Sequence, residues 1–108
     1  MDATVIDLGD SYEGTLRRSK TNTWLCYIRL PAGHCCIGKE YITLGYNWSF
    51  PVELTYGPTD IPHLEDRRAD TFGFDGVILY ENALNKLKEL KKHFQELETT
   101  HREEILAD

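Results

Sequence analysis

Glycine and proline are confined to one part of this chain. All eight glycines and all four prolines fall within residues 1–78, and the stretch from 79 to 108 holds neither. Both residues punctuate short strands and loops, whereas their absence over such a length permits an uninterrupted helix. The split predicts an α+β fold in a single domain spanning 1–108: a small antiparallel β-sheet with loops over 1–78, then one long C-terminal helix over 79–108.

Within the glycine-free stretch, Tyr80, Ala83, Leu87, Leu90, Phe94 and Leu97 follow alternating steps of three and four, His101 continues them, and Leu84 widens the stripe. Lys92 with Glu96, and Glu98 with Arg102, are opposite charges one turn apart and belong on a solvated face. Thr99-Thr100 weakens the helix and marks a break. A helix of about 25 residues is about 38 Å long, whereas strands of five to seven residues span only about 17–24 Å. Phe94, Leu97, Ile105 and Leu106 therefore need further cover. Folding back after a break and pairing with a second copy both supply it. The second solution makes Leu87, Leu90, Phe94 and Leu97 an interface of a homo-oligomer.

The first 78 residues divide into short runs. TVIDL (4–8) and YEGTLRR (12–18) are strand candidates, the latter interrupted by Gly14. TWLCYIRL (23–30) is the clearest, because Trp24, Cys26, Ile28 and Leu30 alternate with Leu25, Tyr27 and Arg29, so the first set faces the core. Further strands are predicted at PVELTYG (51–57), with Val52, Leu54 and Tyr56 on one face, and at DTFGFDGVIL (70–79). The segment 57–70 is polar, carries Pro, and reads as a mobile loop.

Eighteen acidic residues stand against twelve basic ones, for a net charge of −6. Such a chain has no general attraction to phosphate backbones, which argues against direct nucleic-acid binding. Arg17-Arg18 and Arg67-Arg68 are two small pairs, too few for a nucleic-acid track. No segment reaches the roughly 18 apolar residues of a membrane span, and the acidic start MDATVIDLGD does not resemble an export signal. Three cysteines do not make a disulfide framework, so the chain reads as cytoplasmic with reduced thiols.

The chemistry-bearing residues cluster in LPAGHCCIGKEY (30–41). His34, Cys35 and Cys36 are potential metal ligands in a row. Adjacent cysteines in an extended chain point apart, however, and zinc sites use spaced ligands, so neither a metal nor a cofactor is expected. A Cys–His nucleophile needs a thiolate-favouring base and an oxyanion hole, which the sequence does not supply. Asp7, Asp10, Glu40, Asp75 and Glu81 are scattered, with no acid–base pair among them. The chain is therefore not expected to be an enzyme. GHCCIGK matches a phosphate-binding loop literally, but Glu40 replaces the required Ser or Thr, and EYIT leads into loop or strand rather than a helix. Tyr46, Trp48, Phe50, Tyr56, Phe72 and Phe74 read chiefly as core aromatics.

Three segments resemble a family of small uncharacterised phage-encoded proteins. Its members carry V-P-x-G-H-P-x-x-G-x-x-Y, then H-G-G-L-T-Y, then G-F-D, and end in a helix. Leu30-Pro31-Ala32-Gly33-His34 with Gly38-Lys39-Glu40-Tyr41, then Leu54-Thr55-Tyr56, then Phe72-Gly73-Phe74-Asp75, match in order. Cys35 stands in place of the second Pro, Pro51-Val52-Glu53 in place of His-Gly-Gly, and Gly76-Val77-Ile78 in place of Cys-Ala-His. The resemblance implies phage origin and a role in host cytoplasm, and small acidic phage proteins are often accessory factors that block host defences. The leading expectation is a non-enzymatic, anti-CRISPR-like inhibitor that binds a host defence protein. An alternative is an oligomeric sponge for a nucleotide signal, with His34, Lys39, Tyr41, Thr55, Tyr56 and Asp75 lining the pocket. A third is a structural phage protein assembling through its C-terminal helix.

Overall fold

Two tight reversals turn the first thirty residues into a meander. At the first, Gly9, Asp10 and Ser11 have φ of 87°, 56° and 68°, and Asp10-Ser11 is the two-residue loop between the paired Gly9 and Tyr12. Positive φ at both central residues gives the turn the twist that antiparallel strands need. The second closes through the Ser19 N–H donating to the Thr23 carbonyl at 2.8 Å, with Asn22 at φ 66°. The computed structural model describes residues 3–59 and 68–107. In chain order they form β1 (Ala3–Gly9), β2 (Tyr12–Arg18), β3 (Trp24–Arg29), α1 (Tyr41–Asn47), β4 (Thr71–Val77), α2 (Tyr80–Thr100) and α3 (Arg102–Ala107). The strands make one antiparallel sheet in the order β1-β2-β3-β4. The expected α+β architecture, a sheet followed by a long C-terminal helix, is what the chain adopts.

One face of the sheet is sealed by α2. Tyr12 and Leu16 of β2, Cys26 and Ile28 of β3, and Phe72 and Phe74 of β4 are buried against Ala83, Leu87, Leu90, Phe94 and Leu97. Gly14 does not interrupt β2. A Cβ there would lie 3.2 Å from Leu87 Cδ1 and from Leu8 Cδ1, so the missing side chain lets the helix settle on the strand.

The stripe proposed as an oligomer interface is core. Leu87, Leu90 and Phe94 are 0% exposed and Leu97 2% exposed within a single chain, so they have no surface to offer a second copy. The excess helix length is covered in two ways. The chain breaks at His101, whose N–H donates to the Leu97 carbonyl at 2.9 Å, and α3 folds back to bury Ile105. Irregular segments do the rest: the Phe50 ring lies 5.2 Å from that of Phe94, the His34 ring 5.7 Å from it, and Trp48 4.8 Å from His101.

Two local expectations are corrected. Residues 41–47 form a helix, not strand or loop, because the Glu40 carboxylate caps it, accepting from Thr43 N at 2.9 Å and Ile42 N at 3.2 Å. Segment 51–57 is not a strand. Its backbone pairs with the sheet only at one isolated bridge, Tyr56 to Gly73, and Pro51 and Pro58 lack the donors that a ladder requires. Of the expected loop over 57–70, positions 60–67 lie outside the described residues. Among the described residues, no helix is long and apolar enough to cross a membrane.

Candidate functional site

The turn after β3 is a docking element for α2. Consecutive turn hydrogen bonds wind it tightly: His34 N to Pro31 O at 3.2 Å, Ile37 N to His34 O at 3.1 Å, and Lys39 N to Cys36 O at 3.0 Å. Winding, rather than extension, brings a donor atom from each of His34, Cys35 and Cys36 within 4.8 Å of the others. The expectation that adjacent cysteines diverge is thus corrected.

Both ring nitrogens of His34 are already engaged. His34 Nε2 lies 2.8 Å from the Phe94 carbonyl, and Nδ1 lies 3.0 Å from the Cys36 backbone nitrogen. The carbonyl accepts only and the amide donates only, so the ring is neutral with its proton on Nε2. The 4.0 Å approach of Nδ1 to Glu98 Oε1 is therefore no ion pair. Burial accordingly pushes the His34 pKa below the ordinary histidine value, against the opposing pull of the Phe94 carbonyl and Glu98. Burial also pushes the Cys35 thiol up to about 11, and the Cys36 thiol still higher. Protonated, desolvated thiols are poor nucleophiles. Glu98 Oε1 accepts from the Cys35 N–H at 2.8 Å, and Arg102 donates to the Gly33 carbonyl at 3.0 Å. The cluster is a polar rivet between turn and helix.

The six residues expected to line one pocket divide among several places. His34 is only 5% exposed and lies under the Tyr12 and Phe94 rings. Lys39 borders a small cleft of about 100 Å³ with Glu40, Trp48 and Ile105. The phosphate-loop reading fails again here, because the Glu40 carboxylate occupies the amides at the start of α1. Tyr56 stands on the far side of the sheet, edge-on to Tyr27 at 5.2 Å.

Thr55 shares one groove with Asp75 and another with Tyr41, but Tyr41 and Asp75 line no common groove. Two open grooves flank the ridge 51–55 and share Pro51, Val52, Glu53 and Thr55 as lining. One, of about 550 Å³, adds Asp75, Ile78, Asn82 and Lys86. The other, of about 710 Å³, adds Tyr41, Ile42, Tyr46 and Phe50. Tyr46, expected in the core, is 89% exposed, and Ile42 and Ile78 are 57% and 70% exposed. Glu53 and Asp75 stand among these apolar groups, and Glu89 and Glu96 border the adjoining surface around Pro51. Lys86 and Lys92 stand on the same rim, so the surface is partly apolar with an edge of mixed charge. Comparison with protein-family models, with curated proteins and with solved structures finds no match to the chain.

Proposed function

We propose that this chain is a non-enzymatic accessory protein of the phage anti-defence type, acting in the host cytoplasm by binding a defence protein, and that the ridge 51–55 with its two grooves is the surface it uses. The observation that carries the reading is the solvent-facing apolar set Ile42, Tyr46 and Ile78 around that ridge. Exposed apolar groups gathered around a groove and edged with charge mark interaction sites rather than ordinary surface. The rim acids Glu53, Asp75, Glu89 and Glu96 outnumber the rim cations Lys86 and Lys92, a balance that favours a basic partner, such as the nucleic-acid groove of a CRISPR effector nuclease, and would set orientation and association rate. Tyr46 is suited to be the anchor, since tyrosines dominate interface hot spots.

The test is inhibition of purified CRISPR effector nucleases by the chain and its variants. The wild type inhibits at least one effector, Lys39→Ala leaves that inhibition intact, and Tyr46→Ala with Glu53→Lys weakens it at least about tenfold, as loss of a hot spot requires. Absence of inhibition across the effector panel, or full inhibition by the double variant, contradicts the reading.

A further inference from the structure

The face of the sheet turned away from α2 has no covering element among the described residues, and the register decides what it displays. Glu13 pairs with Arg29, Thr15 with Tyr27, and Arg17 with Leu25 across β2 and β3. Tyr27 pairs with Gly73 and Arg29 with Thr71 across β3 and β4. Residues two apart on a strand share a face, so Arg17, Tyr27 and Arg29 all project outward together. Tyr56 reaches the same face through its bridge to Gly73. Arg68 completes an open groove of about 400 Å³.

We infer that this groove is a binding site for a nucleoside phosphate of mononucleotide size. Asp70 organises two of its cations: Arg29 Nε donates to Oδ2 at 3.0 Å and Arg68 Nε to Oδ1 at 3.3 Å. Both contacts use Nε, so the terminal amino groups of each guanidinium lie outside those bonds, and the side chains are 51% and 61% exposed. Arg17 approaches from β2 on the other side of Tyr27. Three forked cations converging on one small groove suit the oxygens of a phosphate or diphosphate. The Tyr27 and Tyr56 rings, packed edge to face at 5.2 Å, both line the groove and supply aromatic surface for a planar base.

The charge pattern favours a small anion over a polymer. In a chain of net charge −6, Arg17, Arg29 and Arg68 line this groove against a single lining carboxylate, Glu13. The volume lies within the roughly 300–1,000 Å³ of small-ligand sites. This site replaces the sequence-level pocket, of which only Tyr56 belongs to it. It shares no lining residue with the two grooves of the 51–55 ridge and does not depend on the protein-binding reading.

The experiment is titration of the ¹⁵N-labelled full chain with ADP, with adenosine and with inorganic phosphate, followed by amide chemical shifts. ADP produces saturable shifts at Thr15, Arg17, Tyr27, Arg29 and Thr71, and binds at least about tenfold more tightly than either fragment. Arg17→Gln and Arg68→Gln each weaken ADP about tenfold or more while the rest of the spectrum stays unchanged, as loss of a charge-assisted hydrogen bond requires. No saturable shift at millimolar ADP overturns the inference. So does adenosine binding as tightly as ADP, wild-type affinity in both variants, or a shift pattern centred on residues 42–55. Arg68 lies outside the strands, so its variant keeps the test valid if Arg17→Gln perturbs β2.

Discussion

Replacing Phe94 by alanine separates a core stripe from an oligomer interface. The side chain is fully buried, and its ring lies 5.1 Å from Phe72, 5.2 Å from Phe50 and 5.7 Å from His34. Truncating a buried Phe costs about 3–5 kcal/mol, and three lost edge-on or tilted ring contacts place this site towards the upper end, at about 4–5 kcal/mol. A domain of this length has roughly 5–16 kcal/mol in total, so the variant sits near the limit of folding. With a urea slope of roughly 1.5 kcal/mol per M, the midpoint falls by about 3 M. The assay is urea unfolding at two protein concentrations tenfold apart. An intramolecular core gives the same midpoint at both, whereas an interface would shift apparent stability by about 1.4 kcal/mol. A cost below about 1 kcal/mol, or a midpoint that moves with concentration, refutes the assignment.

Stability also depends on pH through the buried imidazole. Burial holds the His34 pKa below that of the unfolded chain, so the unfolded state takes up its proton first as pH falls. Its contribution is complete above the unfolded value of about 6.5 and is lost as pH falls from there through the lower folded value, at up to about 1.4 kcal/mol per pH unit. His93 is shifted the same way, chiefly by burial. Urea midpoints measured from about pH 7.5 down to about pH 5 fall in the wild type and fall less in His34→Gln; equal slopes contradict this. Cys26 is buried and its thiol is pushed up to about 12 by burial, and with Cys35 and Cys36 it should resist iodoacetamide until the chain unfolds; labelling of the native protein at the rate of a free thiol contradicts this. At Gly73, an added Cβ would lie 2.7 Å from the Cys26 carbonyl oxygen and 2.7 Å from Tyr27 Cδ1, so Gly73→Ala costs about 2–3 kcal/mol in thermal or urea unfolding. Gly45, inside α1 with nothing within 4 Å of its Cβ position, gains up to about 1 kcal/mol from the same change.

The architecture was readable wherever a pattern was local. The alternation of Trp24, Cys26, Ile28 and Leu30, and the three-and-four spacing from Tyr80 to Leu97, each point to one face without knowledge of the rest of the fold. Helix α1 was not readable. Ile42, Thr43 and Gly45 are weak helix formers, and what caps it is a Glu whose carboxylate turns back on two amides. The partner of the α2 stripe was hidden for another reason: residues with no period, His34, Trp48 and Phe50, cover the end that the strands do not reach. Of the six residues that the resemblance grouped into one pocket, only Thr55 and Asp75 line the groove of about 550 Å³. The outward cluster of Arg17, Tyr27, Arg29 and Arg68 appears only once the register is known, because on each strand alone these residues look like ordinary solvated positions.

The proposed working surface is best tested by a hydrogen-exchange footprint of the chain bound to an effector that it is proposed to inhibit. Binding through the ridge protects amides over 42–55 and 75–79 and leaves β2 and the outward positions of β3 unchanged. Protection over residues 13–17 and 27–29 instead, with 42–55 exchanging as in the free chain, would contradict the account.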